Sequence, residues 1–299
     1  MKFSRAYVEI TNVCGLSCSF CPPKTKPSTT MELPFFKKVV EELSSYTDEI
    51  ALHVMGDPMV LSNLAEYLDI ARSSGLKVMI TTSGFYLDEV RRSALFHPAL
   101  RQVNISLNSF NKNSVSRMFE SYMEPILELC NEKLSNNGDF FINLRVWNLD
   151  KEGSEALFNA KLFELLEKHF SFETGMIASQ ISGERQSIRL ASKILLHFDR
   201  YFEWPNLENA IAGDGYCQGL SKQIGILSDG RVVPCCLDSE GVMELGNLRE
   251  TNLGKILISK RSSDITNGFS KGICSEELCQ KCSYKERFTI KEQMCQKIY

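Results

Sequence analysis

The chain has 299 residues, 43% of them hydrophobic and 10% aromatic, enough to bury the core of one large or two moderate domains and too many for a disordered chain. Its formal net charge of −3 gives no basic footprint for nucleic acid. The opening MKFSRAYVEI puts Arg5 and Glu9 where a secretory signal needs an unbroken apolar run, and no window reaches the ~18 apolar residues of a membrane helix, so a cytoplasmic protein without membrane partners is expected. In that compartment the eleven cysteines are expected as thiols, and their odd number and clustering suit metal or cluster ligation better than disulfides.

Apolar runs alternate with helical patterns through the first half. AYVEIT precedes a helix over about 34–46, IALHVM one near 61–74, LKVMITT one near 87–95, VNISL one over 114–134 and FFINLRVW one over 154–170. Five strand–helix units in a row predict an α/β fold with a parallel sheet, curled by right-handed crossovers into a partial (β/α)6 barrel like a TIM barrel with strands missing. The sixth strand falls at either 175–180 or 187–190, which periodicity does not separate. After Trp204 and Pro205 the texture changes. SKQIGILSDGRVVPCCL reads as a β-hairpin turning at Asp229-Gly230, a turn type that wants positive φ at both central residues. TNLGKILISK then reads as a modest helix ahead of GICSEELCQKC. The expected division is a barrel over 1–200 and a small α+β domain over 201–299.

Cysteines cluster twice along this frame. Cys14, Cys18 and Cys21 form a CxxxCxxC triplet in ITNVCGLSCSFCPP, directly after the first strand. A [4Fe–4S] cluster fully tied to protein uses four cysteines, so three leave one iron open to a small ligand. Against zinc, the next His is His53 and the next Cys is Cys130, whereas zinc ligands come as close-set pairs. Ordinary reduced thiols are the other reading. The second set is Cys217, Cys235 after 17 intervening residues, and the CxxC pair Cys279 and Cys282. Four thiolates close a cluster, or a zinc ribbon of the same spacing. Cys130 reads as a core thiol, and Cys236, Cys274 and Cys295 are spare.

The triplet, with Phe20 as the aromatic before its third cysteine, resembles the cluster loop of the radical S-adenosylmethionine (SAM) superfamily. That resemblance implies a [4Fe–4S] cluster whose open iron chelates the amino and carboxylate groups of SAM. One electron then cleaves SAM to a 5′-deoxyadenosyl radical, which takes a hydrogen atom from the substrate. It also implies cofactor contacts at the C-terminal strand ends, the working face of such barrels. Met55-Gly56-Asp57-Pro58 stands in the place of the family's Gly-Gly-Glu-Pro, which meets the methionyl ammonium. Met55 replaces a glycine and Asp57 a glutamate, changes that a backbone contact survives more easily than a side-chain one. Thr82-Ser83-Gly84 resembles Thr-Asn-Gly, Ser106 and Asn108 end the fourth strand where the ribose and methionyl parts lie, and Arg145 matches a basic residue that pairs with the SAM carboxylate. On residue chemistry alone, a polar strand end is as readily a helix N-cap, and His53 a hydrogen-bonded core residue.

The order Cys217, hairpin, DGRVVPC, LGN, helix, CxxC resembles the twitch and SPASM domains, which hold auxiliary [4Fe–4S] clusters. Cys295 follows Cys282 only after twelve residues, so one auxiliary cluster, the twitch arrangement, fits the spacing. Two [4Fe–4S] clusters and SAM are thus the expected cofactors. A flavodoxin- or ferredoxin-like protein is the expected one-electron donor, and the substrate is a small molecule or a peptide. A first strand starting near Arg5 leaves no room ahead of it for a leader-binding domain, which favours a small or leader-independent substrate. Net oxidation, with the auxiliary cluster accepting an electron, is the expected outcome. The alternatives are a peptide epimerase or crosslinker, and a non-catalytic zinc or iron–sulfur binding module. Cys236 should face away from Cys235 on its strand; it is either a buried structural thiol or a hydrogen-atom donor to a substrate radical. Arg189 and Arg200 either bind an anionic substrate group or are solvated surface charges.

Overall fold

The computed structural model describes residues 2–147, 153–181, 187–199 and 202–288. Parallel strands β1 (Arg5–Val8), β2 (Glu49–Ala51), β3 (Lys77–Thr82), β4 (Leu100–Ser106) and β5 (Phe141–Trp147) lie side by side in chain order. Helices α1 (Leu33–Leu43), α2 (Leu64–Ser73), α3 (Glu89–Ala94), α4 (Phe119–Ser135) and α5 (Gly153–His169) make the connections, as the alternating pattern predicts. In α1, Phe36, Val39, Val40 and Leu43 are buried at helical spacing against one face of the sheet, and Pro34 sits in the first turn where its missing N–H costs nothing. Ala6, Val8, Ile50, Val78, Ile80, Val103, Ile105, Ile142 and Leu144 meet the helices in one apolar core.

The sixth parallel strand is neither of the two segments the sequence offers. Residues 176–181 form helix α6 (Met176–Ile181), and β6 (Ser187–Ala191) runs antiparallel at the sheet's edge. The strand that continues the parallel set is β7 (Ile194–Asp199), paired to β5. Lys193, left-handed at φ 56°, turns the chain back between β6 and β7, and Ile194 and Leu196 bury on the helix side.

The hairpin after residue 220 joins the same sheet. Its first strand, β8 (Gln223–Ile226), pairs in parallel with the free edge of β1, and β9 (Arg231–Val233) and β10 (Gly246–Asn247) follow antiparallel. No gap in the sheet therefore marks the expected division at 200/201. The hairpin turn also departs from expectation: Gly230 takes a positive φ of 97°, Asp229 does not, and Gly230 N–H donates to Leu227 O at 2.9 Å. The loop is one residue pair longer than a two-residue turn, with glycine at the left-handed closing position. Helices α7 (Leu253–Leu257), α8 (Lys260–Ser270) and α9 (Glu277–Gln280) complete this part. Among the described residues no helix is long and apolar enough to cross a membrane.

The face of the sheet turned away from the helices is polar. Near its base Arg5 Nε donates to Glu49 Oε1 at 2.5 Å and Arg101 Nη1 to Glu49 Oε2 at 2.6 Å. Above them, Asn104 Oδ1 accepts from Gln102 Nε2 at 2.7 Å and Asn143 Nδ2 at 3.3 Å, while its amide donates to Thr81 Oγ1 at 3.2 Å. Such a lumen can receive a polar molecule.

Glu9, wholly buried just beyond β1, ties three segments together. Its carboxylate accepts from Met55 N–H at 3.1 Å, and from Ser228 N–H at 3.1 Å and Oγ at 2.9 Å. Replacing Glu9 with Ala leaves three buried donors without an acceptor and should cost about 3 kcal/mol in urea unfolding, while Glu9→Gln, which keeps one oxygen, should cost less.

Candidate functional site

The CxxxCxxC loop leaves β1 and is held at its neck by Asn12, whose amide donates to Pro27 O at 2.8 Å and whose Oδ1 accepts from Thr29 N–H at 2.7 Å. Its far side is fixed by Tyr86 OH donating to Cys14 O at 2.8 Å and by Ser19 N–H donating to Lys112 O at 2.7 Å. The three thiols are gathered closely enough to affect each other. Burial first, and then Cys18 and Cys14, push Cys21 up to about 12. Burial and Cys14 push Cys18 up to about 11. Lys24 opposes the rise at all three. Ligation needs thiolates, and a bound cation would offset their repulsion more fully than exposed Lys24 does. In residue chemistry, though not in a preformed ligand geometry, the three thiols are the donors that an iron–sulfur cluster takes.

The Met55-Gly56-Asp57-Pro58 turn packs directly on this loop. Asp57 N–H donates to Val13 O at 3.0 Å, and a Cβ on Gly56 would lie 1.9 Å from Thr11 O and 2.9 Å from Asn12 Cα. Glycine is obligatory there because backbone meets backbone. The Asp57 side chain turns inward: Oδ2 accepts from Ser83 N–H at 2.8 Å, Ser83 Oγ at 2.7 Å and Thr82 Oγ1 at 3.0 Å, and Oδ1 accepts from Met59 N–H at 3.0 Å. Burial pushes its carboxyl up and these four donors oppose the rise. Asp57 thus fastens the end of β2 to the end of β3, and its carboxylate is occupied by protein donors. Pro58 is buried behind it.

Ser106, Arg145 and His197 share one register across β4, β5 and β7, so they form a row over the upper lumen. Asn108 is buried just beyond Ser106, its amide donating to Asn111 Oδ1 at 3.3 Å. Phe20 is half-buried on the cysteine loop. His53 stands edge-on to the Tyr7 ring at 5.7 Å, and its Nδ1 is shielded from solvent without a partner among the described residues. Burial, then the charges of Arg145 and Arg5, push it down to about 3, so the imidazole is neutral. Arg189 is exposed on β6, and Arg200 lies outside the described residues.

The second cysteine set comes together from three separate segments. Cys217, Cys235, Cys279 and Cys282 line one cavity with Leu237, Met243 and Leu278. Burial pushes all four thiols up, Cys217 to about 11, and the charges of the neighbouring thiols raise Cys217, Cys235 and Cys279 further. Gly219 N–H points at Cys217 Sγ at 3.5 Å, the type of donor that a thiolate ligand accepts. Two further residues that the sequence reading left without a role line the cavity, Cys274 and Lys285. A lysine three positions after a CxxC carries no sequence signal, since the default for Lys is solvent.

Cys236 faces the other way, packed with Val54, Leu227, Val233, Met55 and Tyr7 at the lumen. Burial pushes its thiol up to about 12 despite a hydrogen bond with Tyr7, so it carries its hydrogen. Cys130 is wholly buried in α4, as a core thiol should be, and Cys295 lies outside the described residues.

Residues 8–150 match the model of the radical SAM superfamily, and residues 217–283 match that of the SPASM iron–sulfur cluster-binding domain. A curated relative, the S-adenosyl-L-methionine-dependent 2-deoxy-scyllo-inosamine dehydrogenase of Niallia circulans, is 26% identical over 160 residues, which cover 48% of this chain and 62% of that protein. The matched stretch therefore spans less than two thirds of the relative's length. The crystal structure of BtrN in complex with AdoMet and 2-DOIA superimposes with a TM-score of 0.62 at 16% identity, covering 95% of this chain and 94% of that one. Streptococcus suis SuiB bound to precursor peptide SuiA gives a TM-score of 0.60 at 12% identity, covering 94% and 70%. At these identities the two structures share the fold.

Gly56→Ala should displace the cysteine loop and lower bound iron by about four per chain, with the second set still loaded, as read by iron and sulfide assay. His53 is neutral when folded and protonates near pH 6.5 when unfolded. Its contribution to stability is accordingly complete above that pH and is lost as the pH falls from there toward 3, by up to about 1.4 kcal/mol per unit. The His53→Phe variant should show a flatter decline in urea-unfolding stability over that window.

Proposed function

As a member of the radical SAM superfamily carrying an iron–sulfur cluster-binding SPASM domain, the chain takes [4Fe–4S] clusters and SAM as cofactors, and we propose that it oxidises a small polar substrate by two electrons. SAM at the open iron supplies, on receiving one electron from an external flavodoxin- or ferredoxin-like donor, methionine and a 5′-deoxyadenosyl radical that removes one hydrogen atom from the substrate. Two-electron oxidation also requires a second electron and a proton to leave the substrate; a cluster held by Cys217, Cys235, Cys279 and Cys282 would supply the electron acceptor, and solvent the proton acceptor.

Cys14, Cys18 and Cys21 hold the first cluster in this reading. The Gly56 backbone presses the turn against their loop, and Asp57 orients Ser83 and the β3 end through three of its four bonds. Arg145 lies in register with Ser106 and near enough to His53 for its charge to act on it, where it can pair with a carboxylate; Phe20 and Asn108 are the further contacts in this reading. Cys217, Cys235, Cys279 and Cys282 hold the second cluster. With four protein thiolates its irons are saturated, so the auxiliary site exchanges electrons without touching substrate. The observation that carries the proposal is Glu9, whose carboxylate bonds both the Met55 turn beside the triplet and Ser228 in the hairpin that leads to Cys235. By bonding both segments it supports the reading that the two cysteine sets serve one reaction. The 2-deoxy-scyllo-inosamine dehydrogenase among the relatives supports a small substrate, and a cytoplasmic setting suits the thiols.

A second reading rests on Cys236. Its protonated thiol at the lumen, bonded to Tyr7, is placed to return a hydrogen atom to a substrate radical, which would make the reaction an epimerisation, of a peptide for instance.

Anaerobically reconstituted protein should hold about eight irons and as many sulfides, and should release 5′-deoxyadenosine from SAM on reduction. Cys14→Ala should abolish that release, whereas Cys235→Ala should keep it and lose oxidised product. Zinc bound without sulfide would instead make the chain a binding module. Deuterium entering the product from D2O, lost in Cys236→Ala, would select the epimerase.

A further inference from the structure

Lys285 is 4% exposed, and its ammonium donates to Cys279 O at 2.9 Å and Cys282 O at 2.8 Å. It thus spans the two carbonyls of the CxxC segment from inside the cavity that the thiols line. Its stem runs past Gly215, where a Cβ would meet Lys285 Cδ at 3.1 Å, so the absence of a side chain there opens its channel. Among the described residues no carboxylate forms an ion pair with it. The one carboxylate lining the cavity, Asp238, accepts from Val242 N–H and Met243 N–H, each at 2.8 Å, and Glu286 is exposed. The remaining lining is largely apolar, with Leu237, Met243, Phe269 and Leu278.

A buried ammonium with carbonyls but no anion beside it is unfavourable, because burying a charge is expensive unless a counter-charge accompanies it. Four thiolates around a [4Fe–4S] core carry net negative charge in both redox states and one unit more when reduced. We propose that Lys285 is the built-in counter-charge of the auxiliary cluster and raises its reduction potential, fitting it to accept the electron that leaves the substrate. The proposal rests on the reading of Cys217, Cys235, Cys279 and Cys282 as an iron–sulfur site. Net charge near a cluster is one of the determinants of its potential. The sign follows from Coulomb's law: a fixed positive charge stabilises the more negative, reduced form more than the oxidised one. Lys24, by contrast, stands exposed beside the first set, where solvent screens it.

The test is a potentiometric titration of the full, anaerobically reconstituted chain, following the reduced-cluster electron paramagnetic resonance signal that persists when Cys14, Cys18 and Cys21 are replaced by Ala. Lys285→Met and Lys285→Gln should shift that midpoint to lower potential at unchanged iron and sulfide, and Lys285→Arg should hold it near the parent value. A midpoint unmoved in the Met and Gln variants overturns the proposal, as does a shift in Met alone, which would make hydrogen bonding the cause and not charge. If Met and Gln lose the cluster and Arg keeps it, the counter-charge is confirmed through loading. If all three lose it, Lys285 only props the CxxC carbonyls and the proposal fails. Absence of any cluster in the unsubstituted second site would sink the iron–sulfur reading itself, a result distinct from all of these.

Discussion

The Glu9 carboxylate is the constraint on which the rest of the arrangement depends. It sits at the tip of β1, the strand with β2 on one edge and β8 on the other. A strand paired on both edges in parallel has its register fixed twice, and Glu9 adds a third tie beyond the ladder through Met55 and Ser228. The cysteine loop begins a few residues later, so its starting point inherits that rigidity. The hairpin that carries Cys235 is referred to the same strand. Two sites contributed by distant parts of the chain are thereby set against each other with little freedom, which is what a reaction shared between them requires.

Both cysteine sets oppose burial to ionisation, yet they resolve it differently. The first set lies on a loop beside exposed Lys24, whose charge opposes the rise at all three thiols. The second is enclosed by apolar side chains, and its cation is buried with it. An open, solvent-screened site suits a cofactor that comes and goes. A closed one suits a resident group whose electronic properties the protein fixes.

What the sequence could convey was whatever is local. Five strand–helix units were legible because alternation at period 2 and burial at period 3.6 are written within each segment, and the CxxxCxxC loop because its spacing is contiguous. The sixth strand was not: the sequence offered 175–180 and 187–190, of which the first is helical and the second an antiparallel edge, and only pairing to β5 marks Ile194–Asp199 as the parallel strand. The parallel pairing of β8 with β1 joins residues more than 200 apart and leaves no mark in either segment. Asp57 was expected as a cofactor contact, and the structure shows its carboxylate held by Thr82 and Ser83, a strand away, which no local pattern announces. Glu9 and Lys285 were invisible for one reason: charged residues are read as solvated, and only the fold reveals that these two are enclosed.

Adjacent positions 235 and 236 connect the two halves of the chemistry. β9 ends at Val233, and the chain bends at Cys235 and turns at Cys236, so it is this bend, and not the strand alternation expected from the sequence, that sends the two side chains apart. Cys235 enters the thiol cavity, while Cys236 packs with Tyr7 and Met55. In the proposed reading, the peptide between them is a covalent route for an electron. The same geometry lets a hydrogen-atom donor stand on the lumen side without disturbing ligation on the other. In the two proposed readings, oxidation draws on the Cys235 side of this bend and epimerisation on the Cys236 side, so a substitution confined to residue 236 tests the second reading and spares the four thiols of the cavity.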